Sequence, residues 1–130
     1  MVNDPVSDLI IQLKNAGAVG KNEVVLPYST LKHAIADTLK EAGFVGDVER
    51  LGKKIKKSLC VQLKYANGAH AIAGVKRISK PGRRLYVKTA DIHPVKFGKG
   101  KRILSTPEGV LTGEQARAKN VGGEELFIIW

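Results

Sequence analysis

Val6, Leu9, Ile10 and Leu13 recur at the spacing that puts apolar side chains on one face of a helix. Asp4 can accept hydrogen bonds from the free amides of a first turn and Pro5 suits the first helical position, so the helix is expected to open there. Asn15-Ala16-Gly17 is expected to end it. Glu23–Leu26 reads as a short strand closed by Pro27. A second helix follows, capped by Ser29, with Leu31, Ile35 and Leu39 on one face and Gly43 as its terminator. Phe44–Leu51 and Ser58–Tyr65 then read as a hairpin, in which Leu59, Val61, Leu63 and Tyr65 alternate with Cys60, Gln62 and Lys64. The order helix, strand, helix, strand, strand predicts a small layer with both helices on one sheet face.

Beyond Asn67-Gly68, a turn and the expected domain boundary, the elements shorten. Ala71–Ile78 reads as extended, and Lys80-Pro81-Gly82 turns the chain into Leu85–Val87. Pro94, Gly98 and Gly100 limit any helix nearby to about two turns. Ile103–Thr106 is a strand, Pro107-Glu108-Gly109 a tight turn and Val110-Leu111 the return. Thr112 with Gln115 matches a capping box that opens a short helix through Lys119. Gly122-Gly123 feeds a final strand, Glu124–Trp130. The fold class is therefore α+β: an N-terminal α-β-α-β-β domain at residues 1–68 and a C-terminal, mostly β domain with short helices at 69–130.

Composition adds a partner to this outline. With 130 residues and 43% apolar side chains the chain can build a core. No long apolar run is free of Lys, Asp or Gly, so no membrane partner is expected, and Met1–Pro5 lacks the layout of a signal peptide. A lone Cys60 fits a reducing cytoplasm. The net charge of +10 is segregated: residues 1–49 balance at −3, residues 50–102 hold 16 basic side chains against Asp91 alone, and residues 103–130 balance at −2. Solubility needs no such segregation, whereas a polyanion would meet the basic middle and release counterions.

A catalytic constellation cannot be assembled. His33, His70 and His93 stand apart, one Cys gives no ligand pair for zinc, and Gly98-Lys99-Gly100-Lys101 lacks the remainder of a phosphate loop. Ser105 and Thr106 have no nominated base, and Glu124-Glu125 point to opposite faces of a strand. Cys60 alternates with core residues, as an inert thiol would. The expectation is no enzyme, no cofactor, no metal and no small-molecule substrate.

Three loops instead carry hydroxyl or glycine residues beside positive charge: Ser79-Lys80-Pro81-Gly82-Arg83-Arg84 with Tyr86, Ser105-Thr106-Pro107-Glu108-Gly109, and Asn120-Val121-Gly122-Gly123-Glu124. Hydroxyls and amides can bond base edges and sugars, glycines permit close approach, arginines neutralise phosphates and Tyr86 can stack on an unpaired base. Each has a plain alternative that composition leaves open: a turn, a cap or sheet pair, a core tyrosine.

In their order, Asp4-Pro5-…-Asp8, Ser79–Tyr86, Ser105-Thr106-…-Gly109-Val110-Leu111-Thr112 and Gly122-Gly123-Glu124 resemble the family of ribosomal protein eight of the small subunit, from Asp4 to Trp130. Ser79–Tyr86 is similar to bacterial or organellar rather than archaeal members. The resemblance implies a two-domain α+β protein on the cytoplasmic ribosome, a monomer off it. Its second domain would bind an irregular, partly unpaired helix of small-subunit ribosomal RNA, beside neighbouring ribosomal proteins. It further implies that Ser105, Thr106, Pro107 and Gly109 form the recognition loop, with Gly122, Gly123 and Glu124 beside it. Lys80, Arg84, Tyr86 and Lys88 would flank the groove, and Asn15 and Lys32 would lie near the sugar–phosphate backbone. Bacterial members also repress translation through a messenger that imitates the ribosomal site. Two departures stand out. Pro107 replaces a serine usual in the family, removing one hydroxyl and one N–H and shifting recognition onto Ser105, Thr106 and nearby amides. Lys99, Lys101 and Arg102 stand where the family tends to be apolar, and are expected to add phosphate contacts. The competing readings are a general nucleic-acid binder, an RNA-modifying enzyme, and an adaptor that meets other proteins through its acidic first half.

Overall fold

A computed structural model of the chain describes residues 4–52, 57–66, 68–80, 82–93 and 100–130. Its contacts form two compact units, Met1–Ile72 and Ala73–Trp130. Pro81, Lys99, the Pro94–Gly98 segment and most of the expected basic loop, Lys53 to Lys56, lie outside the described residues.

The first unit follows the predicted order: α1 (Pro5–Ala18), β1 (Glu23–Pro27), α2 (Thr30–Ala42), β2 (Val45–Leu51) and β3 (Ser58–Leu63). Asp4 accepts from the Ser7 amide and hydroxyl to cap α1, and Ser29 caps α2, which ends on left-handed Gly43. The sheet order is β1-β3-β2, all antiparallel. Val24 and Leu26 face Val61 and Leu59 across β1–β3, and all four are buried, as are Leu9 and Leu13 of α1 and Ile35 and Leu39 of α2. The alternation of apolar residues in the strands therefore points one face inward and leaves Glu23 and Val25 outward.

Two expectations fail here. α1 does not stop at Asn15-Ala16-Gly17; it runs through them to Ala18, because Gly17 is a packing glycine whose backbone lies against the His70 ring, where a Cβ would collide. The third strand does not reach Tyr65. It ends at Leu63, and Tyr65–Ala66 (β4) pairs instead with Ala69–His70 (β5), with the Tyr65 hydroxyl donating to Lys21 O at 2.5 Å. Gly68 therefore turns a ribbon inside the first unit.

The second unit is built on β10 (Gly123–Ile129), which pairs antiparallel with β8 (Lys101–Thr106), β6 (Val75–Arg77) and β7 (Tyr86–Val87), while β9 (Gly109–Thr112) pairs with β8. The Thr112–Gln115 capping box opens α3 (Gly113–Ala118). Ile92, Leu104, Leu111 and Ala116 form a core under this helix, with Val87 and Val121 packed against it. The mixed α and antiparallel β content makes the fold α+β.

Candidate nucleic-acid interface

The start of β10 is the point where the three basic or hydroxyl loops meet. Glu124 lies directly opposite Tyr86 of β7 on one side and Ser105 of β8 on the other, and Ser105 lies opposite Val110. Directly paired residues in antiparallel strands project to the same face, so Tyr86, Glu124 and Ser105 form one row. Tyr86 is 72% exposed and supports no core. Ser105 Oγ has no hydrogen-bond partner among the described residues. Arg84 reaches the Glu124 carboxylate, with Nη1 3.2 Å from Oε1. Lys80, Arg83 and Lys88 are exposed beside this row and have no ion-pair partner among the described residues.

Gly122 and Gly123 make this convergence possible. A Cβ on Gly122 would strike Val87 O, and one on Gly123 would strike Ser105 O. These glycines therefore serve the close approach of β7 and β8 to β10. Left-handed Asn120 (φ 57°) delivers the chain to them, with the Val121 amide donating to Ala116 O.

A profile of the family described as Ribosomal protein S8 matches residues 4–130. The chain belongs to that family. Small ribosomal subunit protein uS8 of Oleidesulfovibrio alaskensis is 46% identical over the full length of both chains. Those of Mycoplasma mobile and Halothermothrix orenii are 43% and 42% identical, each covering 98% of the relative and at least 99% of this chain.

In this S8 family member several expected contact groups have duties of their own. Ser79 is buried, and its Oγ accepts from the Leu85 amide at 2.9 Å and donates to Leu85 O at 3.1 Å, closing the Lys80–Arg84 loop at its base. At the tip, Lys80 and Arg83 exchange main-chain hydrogen bonds, both 2.9 Å. Thr106 Oγ1 donates to Gly109 O at 2.7 Å and accepts from the Glu108 amide at 3.2 Å. It shapes the turn carrying exposed Pro107, and Gly109 (φ 111°) completes that turn. Ser105 is the freer hydroxyl of the pair.

Lys32 does not reach a surface where phosphate could meet it. It is 6% exposed, with Nζ 3.0 Å from Asp8 Oδ2 and 3.2 Å from Pro27 O, because its stem lies between α1 and the end of β1. A hydrogen bond from Gln12, helped by Lys32, holds the Asp8 carboxyl below its ordinary value. Asn15 is exposed on α1, in the first unit, and is not among the residues the second sheet gathers. Arg102 is engaged by Glu125 and His93 O, and Lys101 lies 3.4 Å from Glu114, so each already has a partner within the protein. Lys99 is outside the described residues.

Sequence reasoning passed over Arg117 and Lys119, exposed where α3 leads into Asn120. Their basic character just upstream of Gly122 was the available signal. Cys60 is buried, and burial, aided by the hydrogen bond to Glu23, pushes its thiol up to about 11, so no thiolate forms near neutral pH. Among the described residues no group of three His, Cys, Asp or Glu could hold a metal ion, and no helix is long and apolar enough to cross a membrane.

Proposed function

We propose that the chain is a structural constituent of the small ribosomal subunit that binds an irregular, partly unpaired helix of its RNA through the second unit. One observation carries this reading: the register Tyr86–Glu124–Ser105 gathers an exposed aromatic ring, a carboxylate acceptor and a free hydroxyl into one row. An A-form duplex hides its major-groove edges, and its stacked bases offer no face to a tyrosine. Tyr86 therefore finds a partner only where a base has left the stack, and Glu124 and Ser105 then read polar edges beside it. Lys80, Arg83, Lys88 and the outer part of Arg84 supply salt-sensitive affinity without reading sequence. Thr106, Pro107, Gly109, Gly122 and Gly123 hold the surface in shape.

On this reading the second unit is the recognition domain. The protein works by holding RNA in place during subunit assembly and performs no reaction. The relatives' shared name, small ribosomal subunit protein, supports ribosomal RNA and adjacent ribosomal proteins as partners on the cytoplasmic ribosome. Off the ribosome the proposed state is a monomer. A messenger folded like the ribosomal site would meet the same row, which would make the protein a translational repressor.

The test is competition at physiological salt between an irregular hairpin and a fully paired one of equal length. The irregular hairpin should win, and Ser105→Ala should reduce its advantage. Equal affinity for both hairpins, or an S105A/T106A variant that binds as the parent does, would overturn the reading.

A further inference from the structure

β1 is an edge strand whose outer side is open over two residues. The Leu63 amide donates to Asn22 O and the Tyr28 amide to Lys57 O, both in the same β1–β3 register. Hydrogen-bonded and non-hydrogen-bonded pairs alternate in an antiparallel ladder, so residues 22, 24, 26 and 28 direct their main chain toward β3. Glu23, Val25 and Pro27 direct theirs outward. Pro27 has no N–H, and its carbonyl is taken by Lys32 Nζ, so the edge is closed at that end. The N–H and C=O groups of Glu23 and Val25 have no partner among the described residues.

A groove of about 390 Å³ runs along this open stretch, lined by Gln12, Asn15, Ala16 and Val19 of α1 and its end, and by Lys21, Glu23, Val24 and Val25. Val19 is 71% and Val25 53% exposed, so two β-branched side chains border the groove. On the outer sheet face Glu23 is neighboured by Gln62 and Cys60, and Glu49 lies opposite Cys60 with no cation paired to it among the described residues. Open main-chain groups, apolar flanks and two carboxylates together describe a template for one kind of guest.

We propose that a basic extended segment of another protein adds to β1 as a further strand. Its main chain pairs with Glu23 and Val25. A Lys or Arg stands opposite Glu23, and a β-branched residue two positions away stands opposite Val25, since residues two apart share a face. Side chains on the groove side rest on Val19. Nucleic acid is disfavoured by Glu23 and Glu49. A second copy of this chain is disfavoured because β1 has no cation to set against Glu23. The inference concerns the first unit and stands apart from the RNA reading, which uses the second.

The experiment uses the full chain and two labelled octapeptides, one alternating lysine with valine and one alternating glutamate with valine, in anisotropy titrations at physiological salt. The chain's net charge of +10 repels the lysine peptide overall, so preference for it reports the local site. The lysine peptide should bind about tenfold tighter than the glutamate peptide, and Glu23→Lys should remove that preference. Val25→Pro removes an outward N–H and the exposed valine side chain while sparing the main-chain bonds to β3, and should weaken binding about tenfold with the far-UV spectrum kept. Should that variant unfold, amide exchange in the unaltered chain decides: the lysine peptide must slow exchange at Glu23 and Val25. Equal binding of both peptides, unaltered binding by E23K, or no protection at those amides would overturn the proposal. Concentration-dependent dimerisation through β1 would do so as well.

Discussion

Arg84 sets its Nη1 3.2 Å from Glu124 Oε1, so one cation of the basic loop is held by the carboxylate at the centre of the row. Glu124 is largely covered while Arg84 is more than half exposed, which leaves the guanidinium able to share itself with a phosphate. A carboxylate amid lysines and arginines costs affinity for any polyanion. On the proposed reading it holds Arg84 and also accepts from base N–H groups.

Glu124→Gln should therefore raise affinity for fully paired RNA while lowering the advantage of the irregular hairpin by roughly 5- to 150-fold, since one good base contact discriminates by about 1–3 kcal/mol. The ratio of the two dissociation constants is the readout. A change in both by the same factor would deny Glu124 any part in discrimination.

Tyr86→Ala should weaken binding of the irregular hairpin by about 1–3 kcal/mol, the worth of one stacked base. The melting temperature should stay where it was, because the ring is exposed and buries little. Anisotropy titrations paired with thermal melts check this; a large drop in melting temperature would recast Tyr86 as a packing residue.

Gly123→Ala should destabilise the second unit by about 1–3 kcal/mol, since the added methyl must push against Ser105 O. RNA affinity should fall with it as β8 and β10 part. Gly82→Ala is the control: a Cβ there meets nothing within 4 Å, and stability should hardly change.

Lys32→Met should leave RNA affinity unchanged, because the ammonium is turned inward to Asp8 and Pro27 O. The methionine stem keeps the packing and the Asp8 side chain, 41% exposed, remains solvated, so stability should fall by no more than about 1 kcal/mol. Loss of RNA binding without loss of stability would restore Lys32 to the interface.

His70 makes stability depend on pH. Its burial lowers its proton affinity below the ordinary value of 6.5, and Nε2 is buried without a partner among the described residues. The unfolded chain then binds the proton more readily than the folded one, so stability is full above pH 6.5 and falls as the pH drops below it. Denaturant midpoints taken between pH 7.5 and 5.5 should fall, and the fall should shrink in His70→Gln. A midpoint that rises over this range would reverse the sign.

Much of the fold is written in local pattern. Asp4, Ser29 and Thr112 were readable as caps because a short acceptor before an apolar period satisfies free amides whatever lies beyond. Gly17 was misread for the opposite reason: a glycine allows a helix to end, but it also allows a ring to lie against the backbone, and only His70, far along the chain, selects between them. Lys32 shows the same limit. Nothing near it in sequence reveals that Asp8 and Pro27 O enclose its ammonium.

The sequence by itself determined the α+β character, the order of the main helices and strands, the family and the identity of the loops that carry charge and hydroxyls, because periodicity, capping and motif order are properties of neighbouring residues. The tertiary structure alone decided which of those groups are free. Pairing β10 with β7 and β8 set Tyr86, Glu124 and Ser105 side by side, while contacts across the fold drew Lys32 to Asp8 and Arg102 to Glu125, and Ser79 and Thr106 closed turns within their own loops. A polar side chain can serve a partner only with the valence its own protein leaves unspent, and that is settled by residues distant in sequence and close in space.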